Sequence, residues 1–223
     1  MTRDTEQTQR QVRDFFDREA QRFPFVYERD ASWTRRLGNA IFRRSIRLRY
    51  DRVMAECANP TGRRILDIGC GPGTYSVALA QAGARSVIGI DFAPAMIDIA
   101  HQHAAQSGVA DRCDFIVTSL DDYSADGPFD YVIAMGVMDY VEHADRFIEQ
   151  VASLTAATAL FSFPKKEGFL AWQRRRRYRK RCPLYLYTRE DLDRLFGTLS
   201  DFTHTVESIA RDWLVIVRRT GRA

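Results

Sequence analysis

No apolar run in this sequence approaches the roughly 20 residues that a helix needs to cross a bilayer, so a membrane-spanning helix is excluded. Cysteine is scarce. Cys57, Cys70, Cys113 and Cys182 stand far apart, with no C-x-x-C and no Cys/His spacing, which argues against a zinc site or a disulfide framework and for reduced thiols. The opening MTRDTEQTQRQVRDFF mixes its charges and lacks the basic-then-apolar order of a secretory signal, so a cytoplasmic location is expected. Internal repeats and low-complexity linkers are absent too. What remains is a chain of 223 residues, 45% hydrophobic and 28% charged, which suits one globular domain with a full core. Net charge is only +4, but it is unevenly spread: Lys165 to Arg181 holds nine basic residues against Glu167, a local +8 that leaves −4 for the rest.

Two helical stretches come first. Val12, Phe15, Phe16, Ala20 and Phe23 recur at helical spacing up to Pro24, and Ile46, Tyr50, Val53, Met54 and Cys57 do so up to the break at Asn59–Gly62. Residues 1–58 therefore read as a helical preface or lid, and 59–223 as the main domain. From Arg64 the pattern changes to short apolar runs, RRILDIGC, SVIGID, CDFIVTS, FDYVIAM and TALFSFP, which have the length and β-branched content of buried strands. Between them lie TYSVALAQAG, PAMIDIAHQHAAQ and ADRFIEQVASL, which have the length of crossover helices. Strands alternating with helices predict a doubly wound, mostly parallel α/β sheet, since each parallel crossover needs a helix to return the chain. ESIARD and WLVIVRR predict an antiparallel pair at one edge, making seven strands.

The first strand runs into Gly69, Gly71 and Gly73 and then a helix. Glycines there let a ligand approach backbone amides without meeting a Cβ. A dinucleotide fingerprint would need a third glycine where Thr74 stands, with no Pro72 before it, and a G-x-x-x-x-G-K-[ST] phosphate loop is missing.

The spelling Asp67-Ile68-Gly69-Cys70-Gly71-Pro72-Gly73 resembles the first motif of the class I S-adenosylmethionine-dependent methyltransferases. That resemblance extends over Arg64 to about Pro164 and implies a Rossmann-like methyltransferase fold with S-adenosyl-L-methionine as cofactor. It implies that Asp67, Gly69, Cys70, Gly71 and Gly73 form the cofactor turn and that Asp91, ending the next strand, meets the ribose hydroxyls. It implies that Phe92 and Met96 cover the adenine, that Ser119 and Leu120 meet its edge, with Asp121 or Asp122 as substitutes for Ser119, and that Met135 and Gly136 lie beside the methionine part. Where nucleic-acid amino methyltransferases carry [DNS]-P-P-[YF], this chain reads Ala134, Met135, Gly136, Val137.

Methyl transfer from a sulfonium is an in-line displacement that needs alignment and exclusion of water more than a covalent helper. A hydroxyl or ammonium acceptor would call for a base just beyond the fourth strand, where Asp139, Tyr140 and His143 are the candidates. His143 also reads as a residue that simply opens the next helix. His101 and His103 are expected to face solvent, and no metal-binding cluster is visible.

The insertion 165–187, rich in arginine, follows the fifth strand. It reads either as a solvated helix or as a contact for an acidic partner: a phosphate-bearing substrate, a carrier protein, an anionic membrane surface or nucleic acid. With the preface it is expected to wall the acceptor pocket, with Tyr27, Trp33, Tyr50 and Trp172 as liners. The first reading is a methyltransferase acting at oxygen, nitrogen or activated carbon of a small molecule of aromatic, isoprenoid or polyketide-like type. The rival readings are a cofactor-binding recruitment module without catalysis and an RNA methyltransferase using the basic insertion.

Overall fold

The computed structural model describes residues 33–168, 176 and 184–221, with side chains from 44 onward. A 24-residue helix, α1 (Trp33–Glu56), leads into the alternating part. There follow β1 (Arg64–Ile68), α2 (Thr74–Gln81), β2 (Ser86–Asp91), α3 (Pro94–Gln106), β3 (Cys113–Val117), β4 (Phe129–Ala134), α4 (Ala144–Leu154) and β5 (Thr155–Pro164). The chain closes with α5 (Arg189–Phe196), β6 (Phe202–Ile209) and β7 (Asp212–Arg219). All seven strands join one sheet in the order β3-β2-β1-β4-β5-β7-β6, in which β7 alone runs antiparallel to its neighbours.

Two apolar clusters show why the sheet is covered on both faces. Ile65, Ile133 and Leu160 face α1, α2 and α3 through Val53, Cys57, Val77, Leu79 and Ala100. Leu66, Val132 and Phe161 face the other way, toward Ile148 and Val151 of α4 and Leu192 and Phe196 of α5. Successive strand residues thus feed opposite layers, as a central parallel strand requires. Phe161, Phe163 and Phe196 are at most 1% exposed, and their rings meet edge to face or tilted at 5.2 to 6.0 Å. Each such buried side chain contributes about 1.5–3 kcal/mol relative to exposure.

The edge pair is where the expected outline shifts. β6 begins at Phe202, ahead of the ESIARD stretch, and ends at Ile209. Ala210 takes a left-handed φ of 46° in the turn, so Asp212 already belongs to β7. As the outermost strand, β6 buries mainly Val206 and Ile209, and its first half lacks the apolar run of an inner strand. Helix α5 is announced by a capping box: Thr188 Oγ1 accepts from the Asp191 amide at 3.2 Å and Asp191 Oδ2 accepts from the Thr188 amide at 3.0 Å.

Helix α1 is fastened to the sheet at three levels. Ser45 donates to Asp212 Oδ2 at 2.8 Å, Arg52 grips Glu207 with two bonds, and Glu56 pairs with Arg218. Asp212 pairs with Pro164 at the C-terminal end of β5, and Arg218 with Thr158 near its start, so α1 runs antiparallel to the parallel strands. Its turns before Ser45, about 18 Å of helix, project past the edge where those strands end. Among the described residues no helix is long and apolar enough to cross a membrane.

Candidate functional site

Strand order reverses between β1 and β4, and the C-terminal ends of β1, β2 and β4 border the resulting crevice. The glycine turn stands there. Gly69, Gly71 and Gly73 have φ of 65°, 53° and 73°, a region in which an L side chain is strained. They serve different ends. A Cβ on Gly69 would stand 2.4 Å from Val137 Cγ2, and one on Gly73 would press Phe115 and Ala100 at 3.1 to 3.2 Å. At Gly71 nothing lies within 4 Å, so this position leaves the backbone bare for a ligand.

Asp91 links this turn to the next strand end. Its Oδ2 accepts from the Gly71 amide at 3.0 Å and its Oδ1 from the Ala93 amide at 2.9 Å. The carboxylate is thereby oriented at the strand end by two backbone amides. Asp67, 1% exposed, lies beneath the turn and accepts from Ser76 Oγ at 2.7 Å. Burial pushes its carboxyl up to about 7, against the partial opposition of the Ser76 bonds. Cys70 also points inward, its thiol pushed far up by burial, so only its backbone is available to a ligand. His103 departs from the expected solvent-facing position: its Nδ1 lies 3.0 Å from the Pro72 carbonyl, because α3 packs directly under the turn.

Met96 is 1% exposed and packs with Ala93 and Phe92, just after Asp91 in the chain. Ser119 is at the end of β3 but bonds Asp122 Oδ2 at 2.7 Å, forming a joint polar pair. Leu120 is buried in the α4–α5 layer. Met135 and Gly136 follow β4, with Met135 8% exposed and Gly136 at φ 80°.

Among the proton-transfer candidates, Asp139 is 5% exposed, with its carbonyl accepting from the Tyr185 amide at 2.9 Å. Its charge adds to burial in raising the Tyr187 phenol. Tyr140 is half-buried in the same loop. His143 is exposed and occupies the N-cap position of α4 without a side-chain capping bond. Of the pocket candidates, Tyr50 stacks on Tyr75 of α2 with centroids 6.0 Å apart. Tyr27, Trp172 and the side chain of Trp33 lie outside the described residues, as does most of the basic insertion.

The sequence reading missed Arg49. From α1 its Nη1 donates to Ser162 Oγ at 3.2 Å, its Nε lies 3.9 Å from Asp212 Oδ2, and a Cβ on Gly136 would sit 3.5 Å from Nη1. The Nε is buried without a hydrogen-bond partner among the described residues. The signal existed: Ser45, Arg49 and Val53 of α1 and Cys57 just past its end repeat every four residues and form one inward stripe. In sequence, however, five interleaved arginines look alike. The ends of the insertion are also defined: Tyr187 donates to the Pro164 carbonyl and accepts from Lys166, each at 2.9 Å, so the segment leaves and returns at one point.

Comparison with known proteins agrees with this geometry. Residues 65–157 match a family described as a methyltransferase domain. The ubiquinone biosynthesis O-methyltransferase of Xanthomonas axonopodis pv. citri (strain 306) is 38% identical over 49% of this chain and 44% of its own length. The chain thus matches less than half the length of such curated relatives. In fold, it is similar to magnesium protoporphyrin IX methyltransferase from Synechocystis PCC 6803 with bound SAH, with a TM-score of 0.74 and 23% identity over 94% of this chain and 98% of that one. The cyclase SpnF shares the fold as well, with a TM-score of 0.71 and 18% identity over 95% and 96%. The matched residues 65–157 thus hold the glycine turn, Asp91 and the β1–β4 crevice, and over them this chain is similar to S-adenosylmethionine-dependent methyltransferases.

Proposed function

We propose that the protein binds S-adenosylmethionine in the crevice between β1 and β4 and methylates an oxygen of a small-molecule acceptor. The observation that carries this reading is the Gly71–Asp91 junction, where a bare left-handed turn and an oriented carboxylate stand side by side at the reversal of strand order. Asp91 would accept from the ribose hydroxyls, Met96 and Phe92 would cover the adenine, and the Ser119–Asp122 pair would meet its amino group. The methionine part would lie along Met135 and Gly136, with the Arg49 guanidinium supplying positive charge for its carboxylate.

Bound there, the cofactor supplies a methyl group already activated by its sulfonium. The chain's own task is to align an acceptor oxygen about 3 Å from that methyl and keep water out. Helix α1 serves the second need through its turns beyond the sheet edge, and the Tyr50–Tyr75 stack walls the same side. The return limb of the insertion, held to Asp139 through Tyr185, closes the opposite side. Tyr140, half-buried beside that limb, is the hydrogen-bond partner that orients a hydroxyl substrate, whose proton leaves to bulk water, and buried Asp139 sets the loop that carries it. Oxygen is favoured because the curated relatives are O-methyltransferases by name. The aromatics and arginines in the sequence of the insertion suit an aromatic acceptor, either acidic or carried on an acidic partner.

Incubation of the purified protein with methyl-labelled S-adenosylmethionine and a small-molecule extract should transfer label to one class of hydroxylated compound. Tyr140→Phe should lower kcat with little change in cofactor affinity. Millimolar cofactor giving neither heat on titration nor a rise in melting temperature would overturn the reading. Cofactor binding without label transfer would favour a recruitment module, and label in RNA with steep salt dependence would favour the nucleic-acid alternative.

A further inference from the structure

Ser162, 2% exposed near the end of β5, has an unusual duty. Its Oγ accepts two hydrogen bonds, from the Gly136 amide at 2.8 Å and from Arg49 Nη1 at 3.2 Å. Both partners can only donate, so both lone pairs of the hydroxyl oxygen are engaged and the side chain is held from two sides. The Gly136 amide belongs to the first peptide group beyond the β4 ladder, which ends at Ala134 opposite Phe161. No strand pairing fixes that peptide's orientation; Ser162 does.

The orientation matters because a trans peptide is planar, with its carbonyl and amide pointing opposite ways. β4 lies between β1 and β5. An amide turned toward β5 therefore turns the preceding carbonyl, that of Met135, toward β1 and the glycine turn. Gly136 accommodates the arrangement with a φ of 80°, where most side chains would be strained.

We propose that Ser162 is a positioning residue which, by holding the Gly136 amide, aims the Met135 carbonyl into the crevice to accept from the ammonium group of the cofactor's amino-acid part. This rests on the cofactor reading above. An ammonium has three donors and no acceptor, and a fixed carbonyl satisfies one of them without adding a second buried charge. Arg49 acts behind Ser162: its guanidinium lies near Asp212, which Ser45 also binds, so the seating of α1 reaches the ligand through one hydroxyl. Sequence gives no hint of this, since Ser162 sits inside an apolar strand run and 113 residues from Arg49.

The test compares two ligands by calorimetric titration: S-adenosylhomocysteine, which carries the amino-acid part, and methylthioadenosine, which lacks it. Wild type, Ser162→Ala and Ser162→Thr are measured, with melting curves for each. Ser162→Ala should lower affinity for S-adenosylhomocysteine about tenfold while methylthioadenosine changes by less than about twofold. Ser162→Thr should restore most of the difference. If Ser162→Ala melts too low to titrate, Ser162→Cys keeps the volume, is a poor acceptor and should show the same selective loss. Equal loss for both ligands, or no loss for S-adenosylhomocysteine, would overturn the proposal alone. A wild type that binds neither ligand would remove the cofactor reading and this proposal together.

Discussion

Gly71 and Asp91 are joined across the gap between two strand ends, with the glycine amide donating to the carboxylate at 3.0 Å. The bond fixes two parts of the proposed binding surface relative to each other before any ligand arrives. Such preorganisation lowers the ordering cost of binding.

Asp91→Ala should remove this bond, the bond to Ala93, and the acceptor for the ribose. S-adenosylhomocysteine affinity should fall roughly a hundredfold, since hydrogen bonds to charged groups contribute about 1.5–3 kcal/mol each. Calorimetric titration measures this directly. A variant that binds as tightly as wild type would show that Asp91 has no part in ligand recognition.

The glycines should separate by readout. Gly69→Ala drives a methyl group into Val137, so its main effect should be a lower melting temperature. Gly71→Ala meets no neighbour and should cost only the left-handed strain, about 1–2 kcal/mol, while losing most cofactor affinity. Melting curves with and without S-adenosylhomocysteine distinguish the two. Equal behaviour would contradict the division of roles.

Stability should depend on pH through Asp67. Its carboxyl is held up to about 7 by burial, against an ordinary 3.8, so the folded protein keeps a proton that the unfolded chain loses. The contribution of this group is full below about pH 4 and declines as the pH rises to about 7. Asp67→Asn keeps an oxygen for the Ser76 hydroxyl and should flatten that decline. Denaturant midpoints of the variant and wild type should therefore diverge in the variant's favour between those limits; parallel curves would show a carboxylate ionised throughout.

Two arginines on α1 should differ in weight. Arg49→Met removes one of the cations facing the Asp212 carboxylate, 2% exposed, and should cost roughly 3 kcal/mol. The Arg52–Glu207 pair is about a third exposed on each side, and a double-mutant cycle should give a coupling below about 1 kcal/mol. Chemical denaturation of the variants tests both, and the reverse ranking would place the anchor of α1 at Arg52.

Much of this could be read from the chain because its signals are local. The glycine turn, the acid ending β2 and the five apolar strand runs each occupy a few consecutive residues, and the crossover helices follow from strand alternation. The Arg49–Ser162–Gly136 connection was not legible, because it joins residues from three separate elements and no spacing rule links them. His103 was misjudged for a similar reason: its own helix suggests exposure, and only the packing of α3 beneath Pro72 brings it to the turn. The first half of β6 hid because an outermost strand needs few apolar residues, whereas Thr188 and Asp191 did spell a helix start that was overlooked.

The pinned stem of the insertion has an architectural consequence. Lys165 N donates to the Arg211 carbonyl, and the amides and carbonyls of Lys166, Tyr187 and Pro164 interlock, so the closure is made by main-chain bonds that almost any side chains would permit. Lengthening a closed loop costs only about 0.6 kcal/mol per doubling. The scaffold can thus exchange the sequence between those two anchor points as a cassette while the sheet beneath stays as it is.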